Sequence, residues 1–190
     1  MRSMTPWRIC VPIKQGHDCK SRLGGMMDKD GRMCLSERMA GHVLAVLQDR
    51  FEPEQITILS PARPEGWAHR WMRDQGRGLN PELAAWRAAQ GNSPVLILHA
   101  DLPLLDAEDI DALLAVASWG AALATDRAGQ GSNALAIADG RPFEMRFGTG
   151  SRARHCDQYP DINVIEREGL MADLDTPDDA RFIEARGFAV

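Results

Sequence analysis

The sequence is poor in the features that mark zinc-binding, secreted and membrane proteins. Its four cysteines form no Cys-x-x-Cys pair and have no histidine at a zinc-like spacing; they are Cys10, Cys19, Cys34 and Cys156. No apolar run approaches the roughly 18 residues that a membrane helix needs, and residues 1–8 contain no signal-peptide core. We therefore expect ordinary thiols and a cytoplasmic protein that binds no membrane.

A surplus of positive charge and the common glycine-rich phosphate motifs are also missing. The 22 Lys and Arg residues are outnumbered by 27 Asp and Glu residues, so we expect no nucleic-acid partner. Neither G-x-x-x-x-G-K-[ST] nor G-x-G-x-x-G occurs, which disfavours P-loop kinases and dinucleotide-binding dehydrogenases. With 44% hydrophobic residues, the chain suits one globular domain spanning 1–190.

Short apolar runs alternate with helical patterns along the whole chain. This alternation predicts an α/β fold, in which helices flank a sheet of buried, largely parallel strands. The predicted strands are Ile9–Ile13, Glu54–Ser60, Val95–His99, Ala121–Thr125, Ala134–Ala138 and Ile162–Glu166.

Four polar residues are placed to cap helices. Ser36 precedes an apolar face, Asn80 is followed by Pro81, and Thr176 opens the last helix. Asp106 resembles the first member of a capping box for a helix that runs to about Ala117. Two stretches are predicted as loops, 24–31 and 62–66.

Three cations follow the first predicted strand closely. Lys14, Lys20 and Arg22 lie within nine residues of one another, beyond the strand end where ligands of such sheets bind. Lysine offers phosphate a point charge and arginine a bidentate fork, so the segment suits a triphosphate. A solvated basic loop is the alternative interpretation.

Three aspartates are candidates for a metal site. Asp101 follows the apolar run Val95–His99 directly, where a metal that bridges phosphates is often held, and carboxylate oxygens suit Mg²⁺. Asp173 and Asp175 are two residues apart, so in an extended segment they point to one side. Two carboxylates placed so are costly without a cation between them.

Two predicted loops in the second half of the chain are rich in small residues. The segment 126–133 reads DRAGQGSN, and 147–151 reads FGTGS, which is typical of an anion-binding nest of backbone N–H groups. Simple turns are the alternative interpretation of both.

Taken in order, these pieces resemble one family. They are Pro-x-Lys, Lys-Ser-Arg-Leu, Gly-Leu-Asn, Ala-Asp-Leu-Pro-Leu-Leu, Gly-x-Gly-Ser-Asn-Ala-Leu, Phe-Gly-x-Gly-Ser and Asp-Leu-Asp-Thr-Pro. From about Ile9 to Ile183 the chain resembles the guanylyltransferases of coenzyme F(420) biosynthesis, which are named for 2-phospho-L-lactate, phosphoenolpyruvate or 3-phosphoglycerate. His99 and Ser132 replace the proline and threonine that are more usual there.

The resemblance implies a nucleotide-diphospho-sugar-transferase-like α/β fold, Mg²⁺ as cofactor, and GTP and a small phospho-acid as substrates. It implies Mg²⁺ ligands at Asp101, Asp173 and Asp175, and catalytic contacts to the triphosphate from Lys14, Lys20 and Arg22 together with Asp101. It implies nucleotide contacts at Leu79, Asn80 and Asp101, and acceptor contacts at Ser132, Asn133, Gly148, Gly150 and Ser151. The product would pass to the next enzyme of the pathway, and a homodimer is one option for the assembly.

Two other interpretations stay open. Sugar-phosphate and molybdopterin nucleotidyltransferases share the expected architecture, but they open with a glycine-rich loop where this chain has residues 14–23. A non-catalytic nucleotide-binding protein of the same fold is the remaining alternative.

Overall fold

One mixed sheet organises the molecule. In the computed structural model, which describes residues 6–14, 20–67 and 70–190, seven strands follow the spatial order β3-β2-β1-β4-β6-β5-β7. The strands are β1 (Arg8–Pro12), β2 (Ile56–Ser60), β3 (Arg70–Arg73), β4 (Val95–Leu98), β5 (Ala121–Thr125), β6 (Ser132–Ile137) and β7 (Ile162–Ile165).

The order of the strands creates a crevice beside β1. From β1 the chain moves outward through β2 to β3, and it then returns to the other side of β1 as β4. These four strands are parallel, so their carboxyl ends share one edge. β6 is antiparallel to both of its neighbours, which brings its first residues to that same edge. Ligands of open α/β sheets bind at such a reversal of strand order.

All six predicted strands are present, with ends that shift by at most two residues. The starts of β2 and β6 both shift by two residues. At β2, Pro53–Gln55 forms a short 3₁₀-helix instead of the strand's beginning. β3 was not predicted. Its sequence, RWMR, has exposed arginines at both ends and no apolar run, because it is an edge strand.

In the described residues, six α-helices flank the sheet. They are α1 (Lys29–Gln48), α2 (Leu79–Ala88), α3 (Ala107–Ala117), α4 (Ser151–Cys156), α5 (Glu168–Met171) and α6 (Pro177–Glu184). Asp106 and Thr176 cap α3 and α6 through capping boxes, which confirms both predictions. The short helices α4 and α5 were not predicted.

The predicted starts of α1 and α2 were wrong. α1 begins at Lys29, because the Asp28 carboxylate accepts the Gly31 N–H at 2.8 Å; the end of the predicted loop 24–31 is therefore helical and Ser36 lies inside the helix. α2 begins at Leu79 after Gly78, whose φ of 99° suits only glycine. Asn80 lies in the first turn, and its side chain turns away to another segment.

The core packs on both faces of the sheet. Along β1, Ile9 and Val11 pack on one face with Leu47 of α1, and Cys10 packs on the other face with Trp86 of α2. A third cluster packs residues 23–39 against residues 172–183. It contains Leu23, Leu35, Met39, Ala172, Leu174 and Ile183. This cluster fixes the segment that carries Asp173 and Asp175.

The cysteines of the described segments are free thiols, as predicted. Cys10 is fully buried and burial raises the pKa of its thiol, while Cys34 is exposed and Cys156 is half-buried. Cys19 lies outside the described residues. Within the described part of the chain, no helix is both long and apolar enough to cross a membrane.

We predict that Gly169→Ala destabilises the fold. A Cβ at this position would lie 2.6 Å from the Leu104 carbonyl oxygen and would collide with the carboxylate of Asp109. Overpacking of this kind costs about 1–3 kcal/mol, which urea unfolding would measure.

The matched control is Gly41→Ala on the exposed side of α1, where a Cβ meets no atom within 4 Å. It should stabilise the protein by about 0.5–1 kcal/mol. Equal effects of the two substitutions would contradict the packing argument.

Candidate active site

A cavity of about 580 Å³ opens at the crevice between β1 and β4. The segment 12–14 that follows β1 forms one wall, and His99, Ala100 and Asp101, which follow β4, form another. The start of α2, residues 20–22 and side chains from α1, the end of β2 and the segment after β3 also line it. The cavity therefore lies where the strand order predicts a ligand site.

Lys20 is the cation at one end of this cavity. Its ammonium group is hydrogen-bonded to Asp101 Oδ2, and it lies 2.8 Å from Asp175 Oδ1. The side chain is only 9% exposed. Among the described residues, Lys20 alone of the non-glycine residues has a positive φ, at 49°. A backbone conformation that L-residues rarely adopt thus aims the ammonium group at two carboxylates.

Arg22 supports this group from outside. Its guanidinium lies 4.0 Å from Asp175 Oδ2, and its side chain is 74% exposed. An exposed pair at this distance is weak. Arg22 is therefore free to turn toward a ligand at the mouth of the cavity.

One backbone hydrogen bond explains why Asp101 and Asp175 meet. The Leu174 N–H donates to the Asp101 carbonyl oxygen at 3.1 Å. Leu174 itself is buried in the third cluster. Its neighbours Asp173 and Asp175 consequently face the other way, as the spacing of two residues predicted.

Asp173 lies beside this pair and is partly buried. The side-chain amide of Asn133 donates to Asp173 Oδ1 at 3.1 Å and to the Leu170 carbonyl oxygen at 3.1 Å. Burial, and then the charges of Asp101 and Asp175, raises the pKa of Asp173 to about 7. Asn133 thus fixes the position of this carboxylate.

The charges of Lys20 and Asp101 stabilise each other. Burial alone would lower the pKa of Lys20, but the two carboxylates raise it above its ordinary value. Burial alone would raise the pKa of Asp101, but Lys20 holds it below its ordinary value. Both groups are therefore charged at neutral pH. Asp101 Oδ1 is buried and has no hydrogen-bond partner among the described residues.

His99 lines the cavity next to Asp101. Burial lowers the pKa of His99, so its imidazole is neutral at neutral pH. Its Nε2 atom is buried without a hydrogen-bond partner in the described segments, and its ring centroid lies 5.2 Å from that of Phe147. A neutral imidazole beside the carboxylates adds a polar atom without adding charge.

Ser132, at the start of β6, is held by a buried histidine of α4. His155 Nε2 accepts the Arg146 N–H at 3.0 Å, so the ring proton lies on Nδ1, which donates to Ser132 Oγ at 3.0 Å. Burial lowers the pKa of His155 to about 4, which keeps the ring neutral. The hydroxyl hydrogen of Ser132 is left to donate elsewhere.

The loop 147–151 is tied to α2. The Asn80 side chain accepts the Phe147 N–H at 2.7 Å and donates to the Phe147 carbonyl oxygen at 3.1 Å. Gly148 and Gly150 then take positive φ angles of 108° and 69°, and α4 begins at Ser151. Asn80 therefore positions this loop with both of its polar side-chain atoms.

The structure gathers the predicted site residues into two groups. The first lines the cavity and comprises Lys14, Lys20, Arg22, Leu79, Asp101 and Asp175. The second lies alongside it: Asn80, Ser132, Asn133, Gly148, Gly150, Ser151 and Asp173 are not part of that lining as the structure describes it. Asp173 links the two groups, because its carboxylate accepts a hydrogen bond from Asn133 and is close enough to Asp101 and Asp175 for their charges to raise its pKa.

Several lining residues were not among the predicted site residues, and two of them are polar side chains in elements that the sequence analysis missed or placed wrongly. Asp74 follows β3, which its sequence did not reveal, and Ser36 was assigned to a helix start. The Ser36 hydroxyl is buried without a partner among the described residues. A strand prediction for 70–73 would have placed Asp74 at the ligand edge of the sheet.

Asp101, Asp173 and Asp175 are the side chains of the site that could hold a metal. Their oxygens suit a hard divalent cation, and the unpaired Asp101 Oδ1 and the raised pKa of Asp173 both indicate a shortage of positive charge. In the described residues, no three His, Cys, Asp or Glu side chains already form a metal cage. Lys20 occupies the space between two of the aspartates.

Solved structures share this architecture. A protein from Desulfovibrio desulfuricans G20 assigned to the nucleotide-diphospho-sugar transferases superposes with a TM-score of 0.72 and 18% identity, covering 90% of this chain and 82% of that one. The 2-C-methyl-D-erythritol 4-phosphate cytidylyltransferase of Thermus thermophilus gives a TM-score of 0.55 and 15% identity over 93% and 96% of the two chains. These likenesses confirm the predicted nucleotide-diphospho-sugar-transferase-like fold.

Relatives in sequence are more specific. A phosphoenolpyruvate guanylyltransferase of Rubrobacter xylanophilus is 34% identical over 93% of both chains. One of Sphaerobacter thermophilus is 36% identical over 89% of this chain and 88% of its own length. The sequence profile described as "Guanylyl transferase CofC like" matches residues 7–174. The chain is thus a nucleotidyltransferase, and it belongs to the family of CofC-like guanylyl transferases.

Proposed function

We propose that this enzyme transfers GMP from GTP to the phosphate of a small phospho-acid and releases pyrophosphate. The observation that carries the proposal is the group of Lys20, Asp101 and Asp175 at one end of a cavity in the crevice beside β1. This group offers charge for a triphosphate and for a metal, and it contains no pair of a hydroxyl or thiol nucleophile with a histidine base. Transfer between phosphates needs none, because a phosphate oxygen is already nucleophilic.

Mg²⁺ is the proposed cofactor. Asp101, Asp173 and Asp175 would hold it. An ion there would give Asp101 Oδ1 a partner, and its positive charge would favour the ionised form of Asp173, whose pKa is raised by burial. When bound, Mg²⁺ supplies charge neutralisation and Lewis acidity at the reacting phosphate. The Lys20 ammonium group, which balances Asp101 and Asp175 in the metal-free protein, would then be released to bind the triphosphate.

The reaction is an in-line displacement. An oxygen of the acceptor phosphate forms a bond to the α-phosphorus of GTP, and the bond from that phosphorus to the α,β-bridging oxygen breaks. The electron pair leaves with pyrophosphate, whose negative charge Lys14, Lys20 and Arg22 would stabilise. The protein contributes mainly position and electrostatics, as is general for transfers at phosphorus.

Phosphoenolpyruvate is the first acceptor to test, because the relatives above are named for it. 2-Phospho-L-lactate and 3-phosphoglycerate are the other candidates. The proposed contacts are Ser132, Asn133, Gly148, Gly150 and Ser151. The hydroxyl hydrogen that His155 leaves free on Ser132 supports a role in binding an anion. The proposed place of the reaction is coenzyme F(420) biosynthesis.

We predict pyrophosphate release from GTP and one phospho-acid in the presence of Mg²⁺, and its loss on chelation. Asp101→Asn should lower turnover by at least about 10²-fold, the effect typical of a lost electrostatic stabiliser. Pyrophosphate release would be measured with each of the three phospho-acids, with ATP and sugar phosphates as controls.

Asp111→Asn is the matched control. It removes an exposed carboxylate of α3 that pairs with Arg50, and it should leave turnover unchanged. Normal turnover by Asp101→Asn would refute the metal assignment. Pyrophosphate release with a sugar phosphate alone would indicate a sugar-phosphate nucleotidyltransferase of the same fold. No release with any acceptor would indicate a non-catalytic nucleotide-binding protein.

We also predict that Asp173→Asn stabilises the metal-free protein in a pH-dependent way. Unfolding lowers the Asp173 pKa from about 7 toward its ordinary value of 3.8, so the unfolded chain ionises first as pH rises. The native carboxyl therefore costs stability progressively between about pH 4 and 7 and fully above pH 7. The stabilisation by Asn should grow from pH 5 to pH 8, which urea unfolding in a chelator would measure.

Mg²⁺ provides the counter-test. It should stabilise the wild-type protein more at pH 8 than at pH 5, since protons compete with the metal for Asp173. In Asp173→Asn this pH dependence should be smaller. A gain from Asn that is the same at every pH would contradict the assigned environment of Asp173.

A further inference from the structure

A separate carboxylate lines the cavity at the side away from Asp101. Asp74 follows β3, and three strand steps separate β3 from β4 in the sheet. At about 4.8 Å a step, the two strand ends lie roughly 14 Å apart. This separation is comparable to the length of an extended nucleotide.

The backbone around Asp74 is held in place. The Asp74 N–H donates to the Ser60 carbonyl oxygen at 2.9 Å, and Asp74 Oδ1 accepts the Gly76 N–H at 2.7 Å. The next turn is fixed by Glu82 of α2, which is fully buried and accepts the Arg77 guanidinium at 2.8 Å. Asp74 Oδ2 makes no hydrogen bond within the described residues. One carboxylate oxygen is thus anchored and the other is available to a ligand without reordering the loop.

The side chains beside Asp74 in the cavity are apolar. Leu59, Pro61 and Leu79 line the same cavity, and the end of β2, which carries Leu59 and precedes Pro61, is hydrogen-bonded to the segment of Asp74. Leu79 is one of the few large apolar side chains that remain exposed, at 37%. A flat heterocycle can cover such surfaces, whereas a phosphate cannot.

We propose that Asp74 reads the base of the nucleotide and selects guanine; the inference rests on the function proposed above. Guanine presents two adjacent donors on one edge, the N1–H and the exocyclic N2 amino group, and a carboxylate accepts both. Adenine presents the lone pair of N1 at that edge, which a carboxylate repels. A site built around a polar partner discriminates strongly against a base that leaves it unpaired.

Asp74→Asn combined with changed bases tests this assignment. The Asn oxygen still accepts the Gly76 N–H, so the loop keeps its anchor. The Asn amide would accept the N1–H of xanthine and donate to the C2 carbonyl of xanthine, but it would face the amino group of guanine with its own N–H groups. We expect binding of GTP to weaken by about 10- to 100-fold, as for a lost charged hydrogen bond, and binding of XTP to strengthen.

Calorimetric titration of GTP, ITP and XTP with Mg²⁺ is the measurement, with pyrophosphate release as a second readout. The wild-type protein should bind GTP at least about 10-fold more tightly than ITP, which lacks the amino group, and Asp74→Asn should lose this preference. Asp111→Asn changes an exposed carboxylate that does not line the cavity, and it should behave as wild type in every titration.

Two outcomes would overturn the assignment. If Asp74→Asn weakens the binding of GTP, ITP and XTP equally, Asp74 contacts the ribose and not the base. If the wild-type protein binds GTP and ITP with equal affinity, Asp74 does not bind the amino group of guanine. Failure of the proposed reaction would look different, because GTP would bind selectively while no acceptor released pyrophosphate.

Discussion

The shared ammonium group of Lys20 is the interaction on which the rest of the site depends. Asp101 and Asp175 come from distant parts of the chain, 81 and 155 residues from Lys20, and both are hydrogen-bonded to it. Two partly buried carboxylates at this spacing would repel each other without a cation. The backbone hydrogen bond from Leu174 to Asp101 fixes the distance between their segments, so the charge of Lys20 balances a geometry that the fold imposes.

This arrangement explains how an acidic protein can handle highly charged anions. The net charge is −5, yet the cations near the cavity are concentrated at the end of β1 and in the turn that follows. The aspartates hold Lys20 in place when no ligand is bound, and a metal could replace it. The same carboxylates would then serve in turn as counter-ions to lysine and as ligands of Mg²⁺.

Polar contacts between elements connect the two sides of the site. Asn80 of α2 is hydrogen-bonded to the backbone of Phe147, whose ring packs against both His99 and His155. His155 in turn orients Ser132. The helix proposed to border the nucleotide and the loop proposed to receive the acceptor are therefore held together by direct contacts. The position of one substrate can affect the geometry offered to the other through these contacts.

The sequence by itself determined six of the seven strands described, all except β3, together with the caps of α3 and α6 and the placement of Asp101 at a strand end. These follow from local properties, namely apolar runs and the bonding of a side chain to a backbone group three residues away. It also carried the family motifs in order. The start of α2 was beyond local reasoning, because Asn80, a good cap, found partners in Phe147, 67 residues away.

Only the tertiary structure decided which charges meet. The pKa of Asp173 depends on burial and on two carboxylates that packing brings close to it. Asp101 pairs with Lys20, whose ammonium group is positioned by an unusual backbone conformation. Asp74 reached the cavity through an edge strand whose sequence carries no strand signal. Long-range contacts of this kind leave no periodic trace in the chain, since they are fixed by the order of strands in the sheet and not by the neighbours of each residue.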